Sequence, residues 1–308
     1  MNFQQLRTVR EVARRNFNLT DAGVALFTSQ PGVSRQIREL ELELGVDIFE
    51  RNGKRLTGLT GPGKAISKII DRLLLEAENL RNAVAEHANR ANGTLTVATT
   101  HTQARYALPQ AVQAFRLAFP DVRIVLQQSS PEHIADWVSS GRADIGIATE
   151  GLTQFDDLVS FPCYRWGHLI VLPEGHPLLT RSPISLADLA SYPLITYDLG
   201  FAGRSHIDDA FNNAQLKPDI VLTAMDSDVI KQYVSLGLGV GIVAAMAFDH
   251  GRDKGLRAVE ASHLFAPNVT RLAVRKRAYL RSYAYSFIEQ FVPGLTREEI
   301  ESAVSPTV

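Results

Sequence analysis

The 308-residue sequence contains a single cysteine, Cys163, which excludes an internal disulfide framework and a cysteine-cluster zinc site. It also lacks an apolar run near the ~18 residues that a membrane-spanning helix needs. Residues 1–20 lack the apolar core of a secretory signal. We therefore expect a cytoplasmic protein with no membrane partner and no metal site.

A residue pattern for catalysis is lacking as well. His101 has no assignable acidic partner, and a lone histidine is usually structural. The glycine-rich segment 237–241 lacks the Lys-Ser/Thr pair of a phosphate loop. The sequence predicts neither an enzyme nor a bound cofactor, although a cytoplasmic small-molecule-binding protein or enzyme stays open as an alternative.

Charge of one sign does not dominate, since the net charge is −1. Residues 1–90 carry 14 Lys and Arg against 11 Asp and Glu, a net +3, and the remainder carries 18 against 22, a net −4. This mild asymmetry permits nucleic-acid binding at the N-terminal end. The length predicts two or three domains.

The segment 29–41 is predicted to be a recognition helix. Ser29 is a suitable N-cap, Pro31 fits the first turn, and an apolar stripe follows at i, i+4 and i+7: Val33, Ile37 and Leu40. Side chains suited to a DNA major groove or phosphates are Ser29, Gln30, Ser34, Arg35 and Arg38. Two shorter helices precede it, which is helix-turn-helix order. An ordinary amphipathic helix with a solvated basic face is the alternative.

Two features follow the recognition helix. The apolar residues expected to complete the small core are Leu42, Leu44, Val46, Ile48 and Phe49. Asn52-Gly53 then predicts a hairpin with a type I′ turn. Its cations Arg51, Lys54 and Arg55 would make it a wing that contacts DNA phosphates, unless it is a surface hairpin with solvated charges.

A long helix is predicted from about residue 61, with no Pro or Gly between Gly63 and Gly93. Its apolar residues recur at helical spacing: Ile66, Ile69, Leu73, Ala77, Leu80 and Val84. Such a stripe needs a partner. A second copy of the same helix is the simplest one, and packing onto the chain's own C-terminal domain is the alternative.

From residue 93 onward, apolar strands alternate with helical segments. This alternation predicts two α/β lobes with mostly parallel sheets. Ligands of such folds bind at the carboxyl ends of strands, often between lobes.

The chain resembles the LysR-type transcriptional regulators. The N-terminal residues that carry the likeness are Ser29-Gln30-Pro31, Ser34, Leu40-Glu41, Leu44-Gly45, Phe49 and Arg51. From Ala91 onward it is similar to the CysB branch, notably in segments 99–109, 147–150, 162–164, 203–205, 228–231 and 237–241.

The resemblance implies a winged helix-turn-helix, a long linker helix and an α/β two-lobed effector domain resembling periplasmic binding proteins. It further implies a tetrameric dimer of dimers that binds promoter DNA, with RNA polymerase as a further candidate partner. The effector would be sulfate, an acetylserine or a related sulfur metabolite. A LysR-type regulator that responds to an unrelated small acid is the alternative.

An effector site is expected where segment 99–103 follows a strand and opens a helix. Free N–H groups, hydroxyls and an amide can bind an anion there without a cationic side chain. The residues and the family resemblance together assign this site to Thr100, Thr102, Gln103, Thr149, Trp166, Ala202, Gly203 and Arg204. Helix caps alone, and a core role for Trp166, are the alternatives. The family has a threonine where this chain has Ala202, so one hydroxyl is lost.

The expected boundaries are 1–60 for the DNA-binding domain, 61–92 for the linker and dimerisation helix, and 93–308 for the effector domain. Within the last, lobe I would comprise about 93–163 and 269–292, and lobe II about 164–268.

Overall fold

A computed structural model of the chain describes residues 1–53, 55–88, 92–201 and 203–305. They form two compact units, residues 1–87 and 88–308. None of the helices in the described ranges is long and apolar enough to cross a membrane.

The first unit begins with three short helices, each with a side-chain N-cap. They are α1 Phe3–Arg14, α2 Leu19–Ala25 and α3 Gln30–Leu44. Asn18 accepts from the amides of Thr20 and Asp21, and Ser29 accepts from that of Gly32 at 3.3 Å. The predicted stripe of α3 is buried against α1 in a core that includes Leu6, Val9, Val33, Ile37 and Leu40. The helix-turn-helix order is therefore confirmed.

The segment after α3 differs from the expectation. Gly45 adopts a left-handed conformation with φ of 69° and ends the helix. Ile48 and Phe49 enter the core, whereas Leu42, Leu44 and Val46 are exposed. Their predicted core role is wrong. Leu42 is two residues from the buried Leu40 and so faces the opposite side of α3, whereas Leu44 and Val46 flank Gly45 at the exposed end of the helix.

A two-stranded hairpin follows, with β1 Phe49–Asn52 antiparallel to β2 Arg55–Leu59. Asn52 pairs with Arg55, so Asn52 belongs to the ladder and the turn begins at Gly53, one residue later than predicted. Gly53 has φ of 62°, which favours glycine. Lys54 lies outside the described residues.

The long helix α4 spans Gly61–His87 and begins in close contact with the hairpin. Thr60 Oγ1 accepts from the Gly63 amide at 2.9 Å and donates to the Asp47 carbonyl at 2.6 Å. A β-carbon on Gly63 would lie 1.9 Å from the carbonyl oxygen of Ile48, so only glycine fits there. Ile70 and Leu74 pack into the core of the first unit.

The second unit contains two lobes, each built on a five-stranded sheet. In lobe I the strand order is β4-β3-β5-β12-β6, from β3 Gly93–Thr99, β4 Val122–Gln128, β5 Ile145–Thr149, β6 Leu158–Trp166 and β12 Asn268–Arg275. In lobe II it is β11-β7-β10-β8-β9, from β7 His168–Pro173, β8 Leu194–Tyr197, β9 Ile220–Ala224, β10 Val240–Ala244 and β11 Leu256–Glu260.

Helices cover both sheets. Lobe I has a π-helical turn at Gln103–Ala107 and the helices α5 Leu108–Ala118, α6 Pro131–Ser139, α10 Ser282–Phe291 and α11 Arg297–Val304. Lobe II has α7 Leu186–Ala190, α8 Arg204–Asn213 and α9 Ser227–Ser235. Short 3-10 turns occupy Glu150–Gln154, Pro177–Thr180 and Ala245–Ala247.

The expectation of mostly parallel sheets is wrong. In each lobe two strand pairings are parallel and two are antiparallel. The chain leaves lobe I along β6 and returns along β12, which pair with each other, and this passage between the lobes produces the antiparallel half. Strands β6 and β11 and helices α7 and α11 were not predicted.

Candidate DNA-binding and effector sites

Helix α3 presents most of the predicted DNA-contacting side chains to solvent. Ser29, Gln30, Arg35 and Arg38 are exposed, and Ser34 is half-buried. Arg35 Nε bonds Glu39 Oε1 at 2.7 Å in a solvent-exposed ion pair on the same helix. Because exposed pairs of this kind contribute little, a DNA phosphate or base can replace Glu39.

Arg51 is placed differently from the other wing cations. Its Nη2 lies 2.5 Å from Oε2 of Glu41, whose side chain is only 6% exposed. The other oxygen of Glu41 accepts from the amides of Ile48 and Phe49 at 2.8 and 3.2 Å. Arg51 therefore neutralises a buried carboxylate that ties α3 to β1, and its role on DNA phosphate stays a prediction.

A surface groove of about 690 Å³ lies beside the start of α3. Its walls come from the turn between α1 and α2 and from strand β2, with Arg15, Asn16, Gln30, Arg55 and Thr57 among the lining residues. Arg55 is thus exposed beside Gln30, as a wing cation should be. Sequence reasoning missed Arg15, Asn16 and Thr57, which are brought together only by the fold.

The predicted effector residues at positions 100, 102, 103 and 149 converge at the carboxyl ends of β3 and β5, and Trp166 joins them from the end of β6. Thr100, Thr102, Gln103, Thr149 and Trp166 line one cavity between the lobes. Residues of lobe II that the sequence reasoning missed close it: Tyr197, Phe201 and Met225. The cavity volume is about 20 Å³, room for roughly one water molecule.

Several polar atoms around this cavity have no partner among the described residues. Thr99 and Thr149 are buried at neighbouring strand ends, and the Oγ1 atom of each is unpaired. An orphaned buried hydroxyl is costly, so such atoms mark places where a ligand or water is expected. Thr149 is the stronger candidate because it also lines the cavity.

Gly203 and Arg204, which are predicted in lobe II, are not among the described residues that line the cavity. Gly203 begins α8 with φ of 92°, and a β-carbon there would lie 2.6 Å from His168 Nε2. Arg204 donates from Nη1 to the Tyr197 carbonyl at 2.7 Å and from Nε to Asp208 at 2.8 Å. The guanidinium charge of Arg204 is thus paired with Asp208 inside lobe II. Ala202 lies outside the described residues.

His168 lies under this loop and is fully buried. Burial, and secondarily the nearby His206, lower the pKa of His168 to about 4, so its ring is neutral at physiological pH. Neither ring nitrogen has a hydrogen-bond partner among the described residues.

An ion-pair cluster joins the two lobes beside the cavity; we call it the latch, formed by Arg105, Tyr106, Asp228 and Lys231. Asp228 lies 2.6 Å from Arg105 Nε and accepts from the Tyr106 hydroxyl at 2.6 Å. Lys231 is 3.4 Å from Asp228 and also bonds Asp253 at 2.8 Å. Tyr106, from lobe I, packs against the core of lobe II. His101, Asp226 and Asp228 come within 4.8 Å of one another, but Asp228 is already neutralised by the latch cations.

The single cysteine is expected to be unreactive. Burial raises the pKa of Cys163 to about 12, which leaves it as a protonated thiol.

Family models match most of the chain. Residues 3–64 match the bacterial regulatory helix-turn-helix protein, lysR family, and residues 88–295 match the LysR substrate binding domain. The chain is 56% identical over its full length, and over the full length of the relative, to the HTH-type transcriptional regulator SsuR of Burkholderia cenocepacia. The chain belongs to the LysR family.

Further comparisons narrow the branch. The HTH-type transcriptional regulator CysB of the same organism is 53% identical, with 99% of this chain and 97% of that protein covered. The crystal structure of the cofactor-binding domain of the Cbl transcriptional regulator superposes with a TM-score of 0.68 at 46% identity, covering 70% of this chain and 95% of that one. The chain is therefore a DNA-binding regulator of the SsuR, CysB and Cbl branch, not an enzyme, as the sequence predicted.

Proposed function

We propose that this regulator changes promoter activity in response to a small oxyanion of sulfur metabolism. The observation that carries the proposal is the set of hydrogen-bonding side chains at the ends of β3 and β5: Thr100, Thr102, Gln103 and Thr149. They supply hydroxyl and amide groups, and none of the described residues that line the cavity is acidic. Such a site suits an anion that is held by neutral donors.

The sulfur assignment is supported by the relatives. SsuR, CysB and Cbl form the branch to which the chain belongs, and the family resemblance implies sulfate or acetylserines as effectors. Ala202 removes one hydroxyl that the family pattern supplies. We therefore expect sulfate to bind more weakly than an effector with additional contacts, such as an acetylserine.

Oligomerisation through α4 is part of the proposal. Four apolar side chains along this helix are 42–67% exposed: Ile69, Leu73, Leu80 and Val84. They belong to the stripe read from the sequence, while Ile70 and Leu74 face the core of the first unit. An apolar stripe left beside water calls for a partner helix, and the same helix of a second copy is the one we propose, within a dimer of dimers.

The division of labour follows the proposed boundaries. Residues 1–60 bind promoter DNA through Ser29, Gln30, Ser34, Arg35, Arg38, Arg55 and the wing; residues 61–92 connect and dimerise; residues 93–308 bind the effector. A cytoplasmic location is proposed because the DNA is there.

The test is a calorimetric titration of the full-length chain with sulfate, thiosulfate, adenylyl sulfate, O-acetylserine and N-acetylserine. We expect one of them to bind and, at a hundredfold excess over its Kd, to stabilise the second unit by about 2.7 kcal/mol. Thr149→Val should weaken that binding about tenfold, because one hydroxyl donor is lost. The matched control is Thr94→Val, an exposed threonine on the same sheet. If none of the five binds the parent chain, the proposed effector class is wrong.

A further inference from the structure

Four side chains in the wall of the effector cavity and behind it are joined by hydrogen bonds: Gln103, Tyr164, Trp166 and Thr270. Thr270 Oγ1 accepts from Trp166 Nε1 at 3.0 Å and from Gln103 Nε2 at 3.1 Å. The Tyr164 hydroxyl donates to Gln103 Oε1. Burial raises the pKa of Tyr164 to about 12, so that hydroxyl keeps its proton at physiological pH.

The sheet register brings these residues together. Strand β12 lies between β5 and β6, and Thr270 is paired with Thr149 on one side and with Tyr164 on the other. Thr270 is fully buried. It therefore lies directly behind the cavity that Thr149, Gln103 and Trp166 line, without being among the lining residues.

The hydrogen-bond donors and acceptors of these side chains determine how the Gln103 amide is oriented. An indole N–H is a donor only, so the Thr270 oxygen must accept from Trp166. The amide of Gln103 has its oxygen held by Tyr164 and one N–H held by Thr270, so it cannot rotate without breaking both bonds. Its second N–H is the remaining donor of that amide.

We propose that Thr270 is a positioning residue of the effector site: its hydroxyl fixes the Gln103 amide and the Trp166 indole so that the remaining amide N–H is presented to a hydrogen-bond acceptor. The inference rests on the proposed function and deepens it, because it explains why the site selects an acceptor-rich ligand such as an oxyanion. Thr270 lies 167 residues from Gln103 along the chain and would not itself touch the ligand.

The test uses Trp166 as its own reporter in the full-length chain. The sequence has two tryptophans, and Trp137→Phe leaves Trp166 as the single tryptophan. In this background Thr270→Val removes the hydroxyl at nearly constant volume, and Thr270→Ser retains it. Thermal melting of each variant checks that the second unit stays folded. Indole emission moves to shorter wavelength when the N–H loses its acceptor.

We expect Thr270→Val to blue-shift the Trp166 emission and to weaken binding of the tightest of the five probes about tenfold, as for a lost hydrogen bond. Thr270→Ser should keep the parental Trp166 emission and the parental probe affinity. If only the methyl group of Thr270 mattered, for steric reasons, Thr270→Ser would not retain them. Tyr164→Phe should weaken binding without the emission shift, since it frees Gln103 but leaves Trp166 bonded to Thr270.

Two results would overturn the inference. Equal probe affinity in the parent and in Thr270→Val rules out a positioning role. Unchanged Trp166 emission in Thr270→Val, whether or not a probe is bound, rules out the hydrogen bond between Trp166 and Thr270. Failure of every probe to bind the parent instead refutes the proposed effector class, so the two failures are distinguishable.

Discussion

Replacing Arg51 by alanine should destabilise the first unit before it affects anything specific to DNA. The substitution leaves the Glu41 carboxylate buried, with two backbone donors but no counter-charge. Breaking a fully buried pair costs about 3–5 kcal/mol. Since the Arg51 side chain is 33% exposed, water replaces part of the interaction and we expect about 2 kcal/mol. For a unit of this size that corresponds to a Tm lower by roughly 10 °C.

Hydrogen exchange reports this effect locally. The amides of Ile48 and Phe49 donate to Glu41, so peptides covering residues 41–52 should exchange faster in Arg51→Ala. Arg55→Ala is the matched control, because it removes the same charge from the neighbouring strand. It should leave hydrogen exchange and Tm unchanged. It should also remove about one phosphate contact, which lowers the slope of log K for DNA binding against log salt concentration by about 0.9.

A double-mutant cycle separates the pair from the rest of the wing. Glu41→Gln removes the charge for which Arg51 compensates, so Arg51→Ala should cost much less in that background. The reasoning is refuted if Arg51→Ala retains the parental melting and exchange while losing one unit of salt slope, because Arg51 would then be a phosphate contact.

Three further predictions concern the other parts of the chain. Asp228→Asn weakens the latch, so the narrow cavity should widen at a lower free-energy cost. The tightest effector should then bind roughly fivefold more strongly in a titration, a gain of about 1 kcal/mol. Weaker binding would mean that the latch belongs to the ligand-bound state. Because the pKa of His168 is lowered to about 4, its stabilising contribution is complete above pH 6.5 and falls as the pH drops towards 4. His168→Gln should flatten the fall in Tm over that window, and an unchanged slope would contradict the burial argument. Leu73→Asp with Leu80→Asp should convert the oligomer to smaller species in sedimentation, whereas an unchanged mass would exclude α4 as the interface.

The sequence was sufficient to predict those features that depend on interactions between residues close together in the chain. The N-cap Ser29, the stripe of α3 and the spacing of α4 each depend on residues within a few turns, and all of them could be predicted. The clustering of Thr100, Gln103 and Thr149 followed from strand ends in an α/β fold together with the family resemblance.

The remainder depends on pairings that no short segment encodes. The pairing of Arg51 with Glu41 could not be predicted, because nothing in the sequence around Arg51 shows that Glu41 is buried beside it. Thr270 could not be found from the sequence, since its role requires the register of β12 between β5 and β6. The antiparallel half of each sheet was missed for the same reason, because it comes from the passage of the chain between the lobes.

The most direct test of the central claim is a salt titration of promoter DNA binding by the full-length chain. The variant is Arg35→Ala/Arg38→Ala, and the matched control Arg123→Ala/Arg165→Ala removes the same charge from exposed positions of lobe I. Our account predicts a loss of about a hundredfold in affinity and a shallower salt slope for the first pair only. Parental affinity in a folded Arg35→Ala/Arg38→Ala chain would contradict the assignment of DNA binding to α3.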